Sequence, residues 1–291
     1  MSFIHDNEEE DVTSTLPIEG YNVEKYISRG SFGSIYKVRP IHAPTTVQAV
    51  KEIRWRSENA IERDTEQKFA EREYAIQQRL SQLDNNGFFL KTYEFRSLDG
   101  GFLIFMDFEE GEDLFNKINF VISPAMAKIY FKQLIQALKV VHEHGVIHRD
   151  VKTKNILITR ADTVKLIDFG LATPYKPDRY LPNYYGTQYC APPETRSSQL
   201  PIRGPPTDVW AAGIVLLSLS TGEHTFWREA KEDQPAYLQW KEKRYSENEV
   251  FRKLYHLPAN LVDLLEKILC HDPLQRLTLD DILAHEYLSS S

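Results

Sequence analysis

His148-Arg149-Asp150-Val151-Lys152-Thr153-Lys154-Asn155, followed at Asp168-Phe169-Gly170 by a second short motif, decides how the chain is read. Asp150 supplies a carboxylate that can sit beside a hydroxyl nucleophile. Asn155 supplies an amide, and Asp168, 18 residues beyond Asp150, a second carboxylate; both suit Mg²⁺. These are the parts phosphoryl transfer needs, where there is little covalent chemistry for a protein to do and positioning carries the rate. Short apolar runs, NILIT and VKLID, read as strands flanking the loop. Any one of these polar residues alone would pass for a solvated surface group; together, in this order, they would not.

Upstream, Ser28-x-Gly30-x-Phe32-Gly33-x-Ile35 reads as strand, turn and strand. Glycines there let backbone lie close over phosphates, although an isolated glycine turn is also an ordinary hairpin. QAVK ends at Lys51, which could reach phosphate oxygens if a carboxylate held it. Glu73 on the following helix is the favoured partner and Glu71 the competitor. YNVEKYISRG, SIYKVRP and TVQAVKEI read as successive antiparallel strands, and strands resume at FFLKTYEF and GFLIFMDF. Between them Phe69, Ile76, Leu80 and Leu83 recur at helical spacing, so a helix is expected through about Leu83.

Downstream the pattern turns helical. SPAMAKIYFKQLIQALKVVHEHG opens on Ser-Pro, steps apolar residues by three and four, and stops at Gly145. The longest uncharged run, Val209–Gly222, has 14 residues, too short to span a bilayer and suited to a buried helix. A β-rich first third and α-rich remainder give an α+β, two-lobed architecture, with a cleft expected near residues 107–113. The expected division is a flexible acidic tail over 1–20, a small lobe over 21–108 (antiparallel sheet, one main helix) and a larger, mainly helical lobe over 109–288.

The 291 residues carry a net charge of −7 and a pI near 5.8, a poor balance for gripping nucleic acid or an anionic membrane. Two cysteines, Cys190 and Cys270, make no disulfide framework or metal set, so a reducing nuclear or cytoplasmic setting is expected. The N-terminal MSFIHDNEEEDV has neither basic n-region nor apolar h-region, so no secretory signal is expected.

Over Tyr21–Leu288 these motifs resemble the eukaryotic protein kinase family. The resemblance implies a protein-kinase fold, ATP and Mg²⁺, and protein substrates with Ser or Thr acceptors. It makes Asp150 the catalytic base and lets Lys152 steady the migrating phosphoryl group. Asn155 and Asp168 hold Mg²⁺, Lys51 and Glu73 form an ion pair, and Gly30 and Gly33 cover the phosphates. Ile27, Ile35, Ala49 and Leu157 enclose the adenine. Met106 is the gatekeeper, the backbone of Asp107 and Glu109 meets the adenine edge, and Asp113 meets the ribose. GTQYCAPPE (Gly186–Glu194) resembles the segment that closes the activation loop, with Glu194 expected to pair with Arg276. Lys152 and Thr187 are the serine/threonine-kinase choices at their positions.

GEHTFWREAKEDQPAYLQWKEKR (residues 222–244) resembles the checkpoint-kinase branch, which implies a role in cell-cycle or DNA-damage signalling. The departures are Ser28 at the first loop glycine, Thr153 and Lys154 where relatives carry proline and glutamate, Pro192 at the alanine of the APE triplet, and Gln77. Glu109, Glu110, Glu112 and Asp113 form an acidic run able to meet a peptide arginine three residues before the acceptor, whereas Lys154 repels one two residues before it. Thr173, Tyr180, Tyr184, Tyr185 and Thr187 offer hydroxyls to an upstream kinase, and Arg149 could receive the phosphate. A monomer is expected. The competing reading is a pseudokinase scaffold, disfavoured because Lys51, Asp150, Asn155 and Asp168 are all present.

Overall fold

The computed structural model describes residues 18–30, 33–120, 122–176, 180–181, 185–196, 202 and 204–289. The acidic tail over residues 1–17, Phe32 and Tyr184 lie outside them. Two compact units emerge: the described residues of Met1–Glu71 with Thr92–Glu109, and Arg72–Lys91 with the chain from Glu110 onward.

The first unit is built on β1 (Tyr21–Gly30), β2 (Gly33–Pro40), β3 (Gln48–Arg54), β4 (Thr92–Leu98) and β5 (Gly101–Asp107). They form an antiparallel sheet in the order β1-β2-β3-β5-β4. Because strand side chains alternate between faces, the register sorts them into two sets. Tyr36, Val50 and Phe105 are paired across three strands, and this face packs Ile18, Val38, Val50, Leu103 and Phe105 into an apolar cluster. Tyr21 stacks on Phe105 with ring centroids 4.6 Å apart. The opposite face carries Ile35 paired with Lys51, Lys51 with Ile104, and Ala49 with Met106.

α1 (Ala60–Leu83) ends where the helical spacing predicts, but its buried stripe is turned. Ile76 and Leu80 are buried as expected, whereas Phe69 and Leu83 are 48% and 44% exposed. Ala70, Glu73 and Gln77 join the buried set instead, and two of these are polar, so an apolar periodicity passes over them. A second difference lies at FFLKTYEF. The strand begins only at Thr92, while Phe88, Phe89 and Leu90 are buried outside any ladder. Phe88 O accepts instead from Leu166 N at 2.9 Å.

The second unit continues through β6 (Gly111–Asp113), α2 (Leu114–Ile118), α3 (Pro124–Glu143), β7 (Val146–Ile147), β8 (Ile156–Thr159), β9 (Val164–Leu166) and β10 (Thr173–Pro174). α4 (Gly204–Thr221), α5 (Pro235–Lys241), α6 (Glu249–Arg252), α7 (Ala259–Ile268), α8 (Leu279–Ala284) and α9 (Glu286–Ser289) complete it. α3 starts where Ser123 Oγ accepts from Met126 N at 3.3 Å, with Pro124 at the first helical position. Gly145, at φ +70°, then lets the chain leave in the left-handed conformation. Burial of Phe131, Leu134, Ile135, Leu138 and Val141, at roughly 1.5–3 kcal/mol each, outweighs the cap's ~1 kcal/mol in holding this helix. α4 is buried on nearly every side, as its uncharged run predicts. Trp227 and Trp240 sit in an aromatic cluster with Tyr237 and Phe251, Trp227 lying 5.4 Å from Tyr237 and Trp240 5.6 Å from Phe251. Among the described residues no helix is long and apolar enough to cross a membrane.

Candidate active site

The loop after β7 is fixed from below. Asp208, near the start of α4 and only 1% exposed, accepts from His148 N and Arg149 N, each at 2.8 Å, and His142 Nε2 lies 2.9 Å from its Oδ2. Burial opposes a charge on Asp208. The hydrogen bonds from His142 and from the His148 N–H outweigh that and hold its carboxyl below the usual carboxylate range. Arg149 takes φ +69° here, a left-handed backbone that a non-glycine residue adopts only when its surroundings enforce it.

The consequence for acid stability has a definite sign. The folded-state value lies below the unfolded one of about 3.9, so ionised Asp208 contributes stability above about pH 4 that is lost as pH falls through the folded value. Asp208→Asn should be about 2 kcal/mol less stable at pH 7. Thermal melts taken down the acid range should fall more steeply for the parent than for the variant. Parallel acid limbs would remove Asp208 from this role.

On the loop so held, both oxygens of the Asp150 carboxylate are engaged. Oδ2 accepts from Lys152 Nζ at 2.6 Å and Asn155 Nδ2 at 3.0 Å; Oδ1 accepts from Thr187 Oγ1 at 2.7 Å and Thr187 N at 3.1 Å. Lys152 Nζ also donates to Thr187 Oγ1 at 3.0 Å. Asn155 spends its amide nitrogen on Asp150, with a further bond of 2.9 Å to Asp150 O, which leaves its Oδ1 suited to a hard cation. Asp168 follows β9 with φ +62°, and the next residue, Phe169, is buried against His148 and Phe89 at ring distances of 4.9 and 5.9 Å. His148 Nε2 lies 3.0 Å from Ile167 O, tying this second motif to the first.

In the first unit, Lys51 is buried on the sheet face that carries Ile35, Ala49 and Met106; Ile27 on β1 is 41% exposed. The two glycines of the β1–β2 turn differ. A Cβ on Gly33 would lie 2.2 Å from Glu52 O, so sheet packing alone demands glycine there. A Cβ on Gly30 would meet only Gly33 O at 3.8 Å, so that backbone is open to close approach by a phosphate. Asp107 accepts a hydrogen bond from Tyr93 Oη; burial and this bond push the phenol up to about 12. Glu109 follows β5, half-buried.

In the second unit, Glu73 is 3% exposed. Its competitor Glu71, in the first unit, is exposed and accepts from Gln67 Nε2 at 2.7 Å. Leu157 on β8 pairs with Asp113 on β6. Asp113 is the N-cap of α2, accepting from Asn116 N at 2.7 Å and Nδ2 at 2.9 Å. Glu110 bridges to Arg160 at 2.8 Å and Glu112 to Lys117 at 3.3 Å. Three members of the acidic run are thus already engaged, which the run itself does not reveal. Of the activation-segment hydroxyls, Thr173 lies on β10, Tyr180 and Tyr185 are exposed, and the Arg149 guanidinium stands 5.3 Å from the Tyr185 ring centroid. The role of Asp208 was missed from sequence; its signal was a lone carboxylate beside a long apolar run.

The chain matches the protein kinase domain family over residues 21–288. It is 32% identical over 269 residues to Serine/threonine-protein kinase chk-1 of Caenorhabditis briggsae, covering 91% of this chain and 52% of that protein. It is 31% identical over 278 residues to chk-1 of Caenorhabditis elegans, covering 94% and 53%. To Serine/threonine-protein kinase PLK4 of Drosophila simulans it is 29% identical over 281 residues, covering 93% and 33%. This chain belongs to the protein kinase domain family. It spans about half the length of the two chk-1 relatives.

Proposed function

We propose that this domain transfers the γ-phosphate of ATP to serine or threonine hydroxyls of protein substrates. The observation that carries the reading is the Asp150 carboxylate, held by Lys152, Asn155 and Thr187 on a loop anchored to Asp208. Asp150 orients the acceptor hydroxyl and takes its proton as the phosphorus–oxygen bond forms. Lys152, beside Asp150 and bonded to Thr187, faces the phosphoryl group with a positive charge through the transfer. Asn155 Oδ1 and the Asp168 carboxylate are the oxygens that would hold Mg²⁺. When bound, the ion neutralises charge on the phosphates. Gly30 and Gly33 lie over the phosphates. Ile27, Ile35, Ala49 and Leu157 enclose the adenine beside Met106. The backbone of Asp107 and Glu109 meets its edge and Asp113 the ribose. Thr187 marks the segment where the substrate backbone docks.

Lys51 meets the α- and β-phosphates and is held by Glu73. Burial of both residues supports that partnership over one with exposed Glu71. Glu73→Gln should lower kcat/KM about tenfold or more, while Glu71→Gln should stay within twofold. The opposite order in steady-state kinetics would assign the pair to Glu71.

The likeness of residues 222–244 to the checkpoint-kinase branch, with the identity to the two chk-1 kinases, supports a role in cell-cycle or DNA-damage signalling in the nucleus or cytoplasm. The chain acts as a monomer on protein substrates, with an upstream kinase acting on its loop hydroxyls. The test is incubation of purified protein with Mg-ATP and a degenerate peptide set with serine, threonine or tyrosine as sole acceptor. Metal-dependent labelling of serine and threonine peptides is expected; labelling of tyrosine peptides alone, or of none, would overturn the reading.

A further inference from the structure

β3 hands over to α1 through residues 55–59, which lie in neither strand nor helix. Both ends of this turn are fixed. Trp55 N donates to Gly100 O at 2.9 Å, and the Trp55 ring packs edge-on against Phe102 with centroids 4.7 Å apart. Asn59 Oδ1 accepts from Ile61 N at 2.9 Å and so caps α1. Between them Ser57 is half-buried, with Arg56 and Glu58 exposed on either side of it. Ser57 Oγ accepts from Asn59 N at 3.0 Å, which leaves its own proton available to another acceptor.

One cation is seated on this serine. Arg63, near the start of α1, donates through Nε to Ser57 O at 2.8 Å, and its guanidinium carbon lies 6.0 Å from the Trp55 ring centroid. Among the described residues no carboxylate stands within ion-pairing distance of Arg63. Of the acidic side chains on this stretch, Glu58 and Glu62 are exposed and Glu66 accepts from Arg56 N at 3.1 Å. Arg54, three residues before Ser57, ends β3 with its side chain 64% exposed and bridged to Glu52 at 2.7 Å. A guanidinium pinned to the carbonyl of a serine, with its charge uncompensated, is placed to take a phosphate on that same serine.

We propose that Ser57 is a phosphorylation site of this chain, modified by a second copy of the same domain in a transient encounter, and that Arg63 holds the phosphate so formed. This rests on the protein-kinase reading above. Arg54 stands at the spacing suited to the acidic run of residues 109–113, three residues before the acceptor. In the transfer, Ser57 Oγ forms a bond to the γ-phosphorus of ATP as the bond from that phosphorus to the β–γ bridging oxygen breaks. ADP leaves with the electron pair, and the hydroxyl proton passes to the catalytic carboxylate of the second copy. The phosphoserine, with a charge of about −2 at pH 7, pairs with Arg63 and ties the turn to α1, the helix that carries Glu73.

The test uses Asp150→Asn protein, which cannot label itself, as acceptor. It is incubated with Mg-ATP and a small amount of size-tagged parent, and its phosphopeptides are mapped by mass spectrometry. Phosphate at Ser57 of the Asp150→Asn protein is expected. Hydrogen exchange over residues 55–66 should then be about fivefold slower in the phosphorylated than in the unmodified acceptor, the scale of an exposed charge pair. In an acceptor that also carries Arg63→Ala, with a melting temperature near that of the parent, phosphorylation should leave exchange unchanged. Ser57 left unlabelled while the degenerate peptides turn over would overturn the site alone, and no labelling of any peptide would remove the proposed function with it. Equal slowing with and without Arg63 would overturn the part given to Arg63.

Discussion

Asp150→Asn should lower the phosphotransfer rate by roughly 10² to 10⁴ while nucleotide affinity stays near that of the parent. The carboxylate accepts on both oxygens, from Lys152 and Asn155 on one and from Thr187 on the other. An asparagine has one accepting oxygen, so one of these sets of donors would face an amide NH₂. The variant therefore loses the proton acceptor and loosens Lys152 or Thr187 in the same stroke. Its fold should survive, because the loop is held by Asp208 rather than by Asp150 itself. Single-turnover kinetics with fluorescent-nucleotide titration would separate the two effects. A variant turning over within threefold of the parent would show that the base lies elsewhere.

The second large effect is on stability. Arg276 donates through two nitrogens to Glu194, at 2.8 and 3.0 Å, with both side chains wholly shielded from water. The same guanidinium serves Pro206 O at 2.7 Å and Cys270 O at 3.0 Å, and lies 5.0 Å from the Trp210 ring centroid. Arg276→Met leaves a buried carboxylate without its cation and should cost about 3–5 kcal/mol. Glu194→Leu leaves the cation alone and should cost a similar amount. The double variant should be more stable than either single one, because no uncompensated charge remains in it. Denaturant titration of all four proteins closes the cycle. A double variant as unstable as the sum of the single ones would mean that the pair acts through packing rather than charge.

Local pattern made much of this molecule readable. Ser123, Pro124 and Gly145 mark both ends of α3, and the run Val209–Gly222 announces a helix buried on all sides. Lys152 and Asn155 stand close enough to Asp150 in the chain that one turn brings them together. What escaped reading depends on polar partners distant in sequence. Glu73 and Gln77 turn the buried stripe of α1 away from Phe69 and Leu83, since apolar spacing cannot register a buried carboxylate or amide. Glu110, Glu112 and Asp113 look like a free acidic surface until Arg160, Lys117 and Asn116 are seen against them. Asp208 meets backbone groups 59 and 60 residues away, and no periodicity carries that information. Phe88–Leu90 has strand composition but spends its burial without a ladder, since composition describes environment before it describes pairing.

The clamp made by Asp208 separates two things that enzymes often adjust together. Because two successive backbone amides end on a carboxylate rooted in the buried helix α4, the position of Asp150, the proposed proton acceptor, is inherited from the core. Changes in the segment around Tyr185 and Thr187 can then alter what reaches Asp150, or how its carboxylate is held, without moving the backbone that carries it. That segment can drift while the loop carrying Asp150 stays anchored to a part of the protein under a different selective pressure, that of remaining folded.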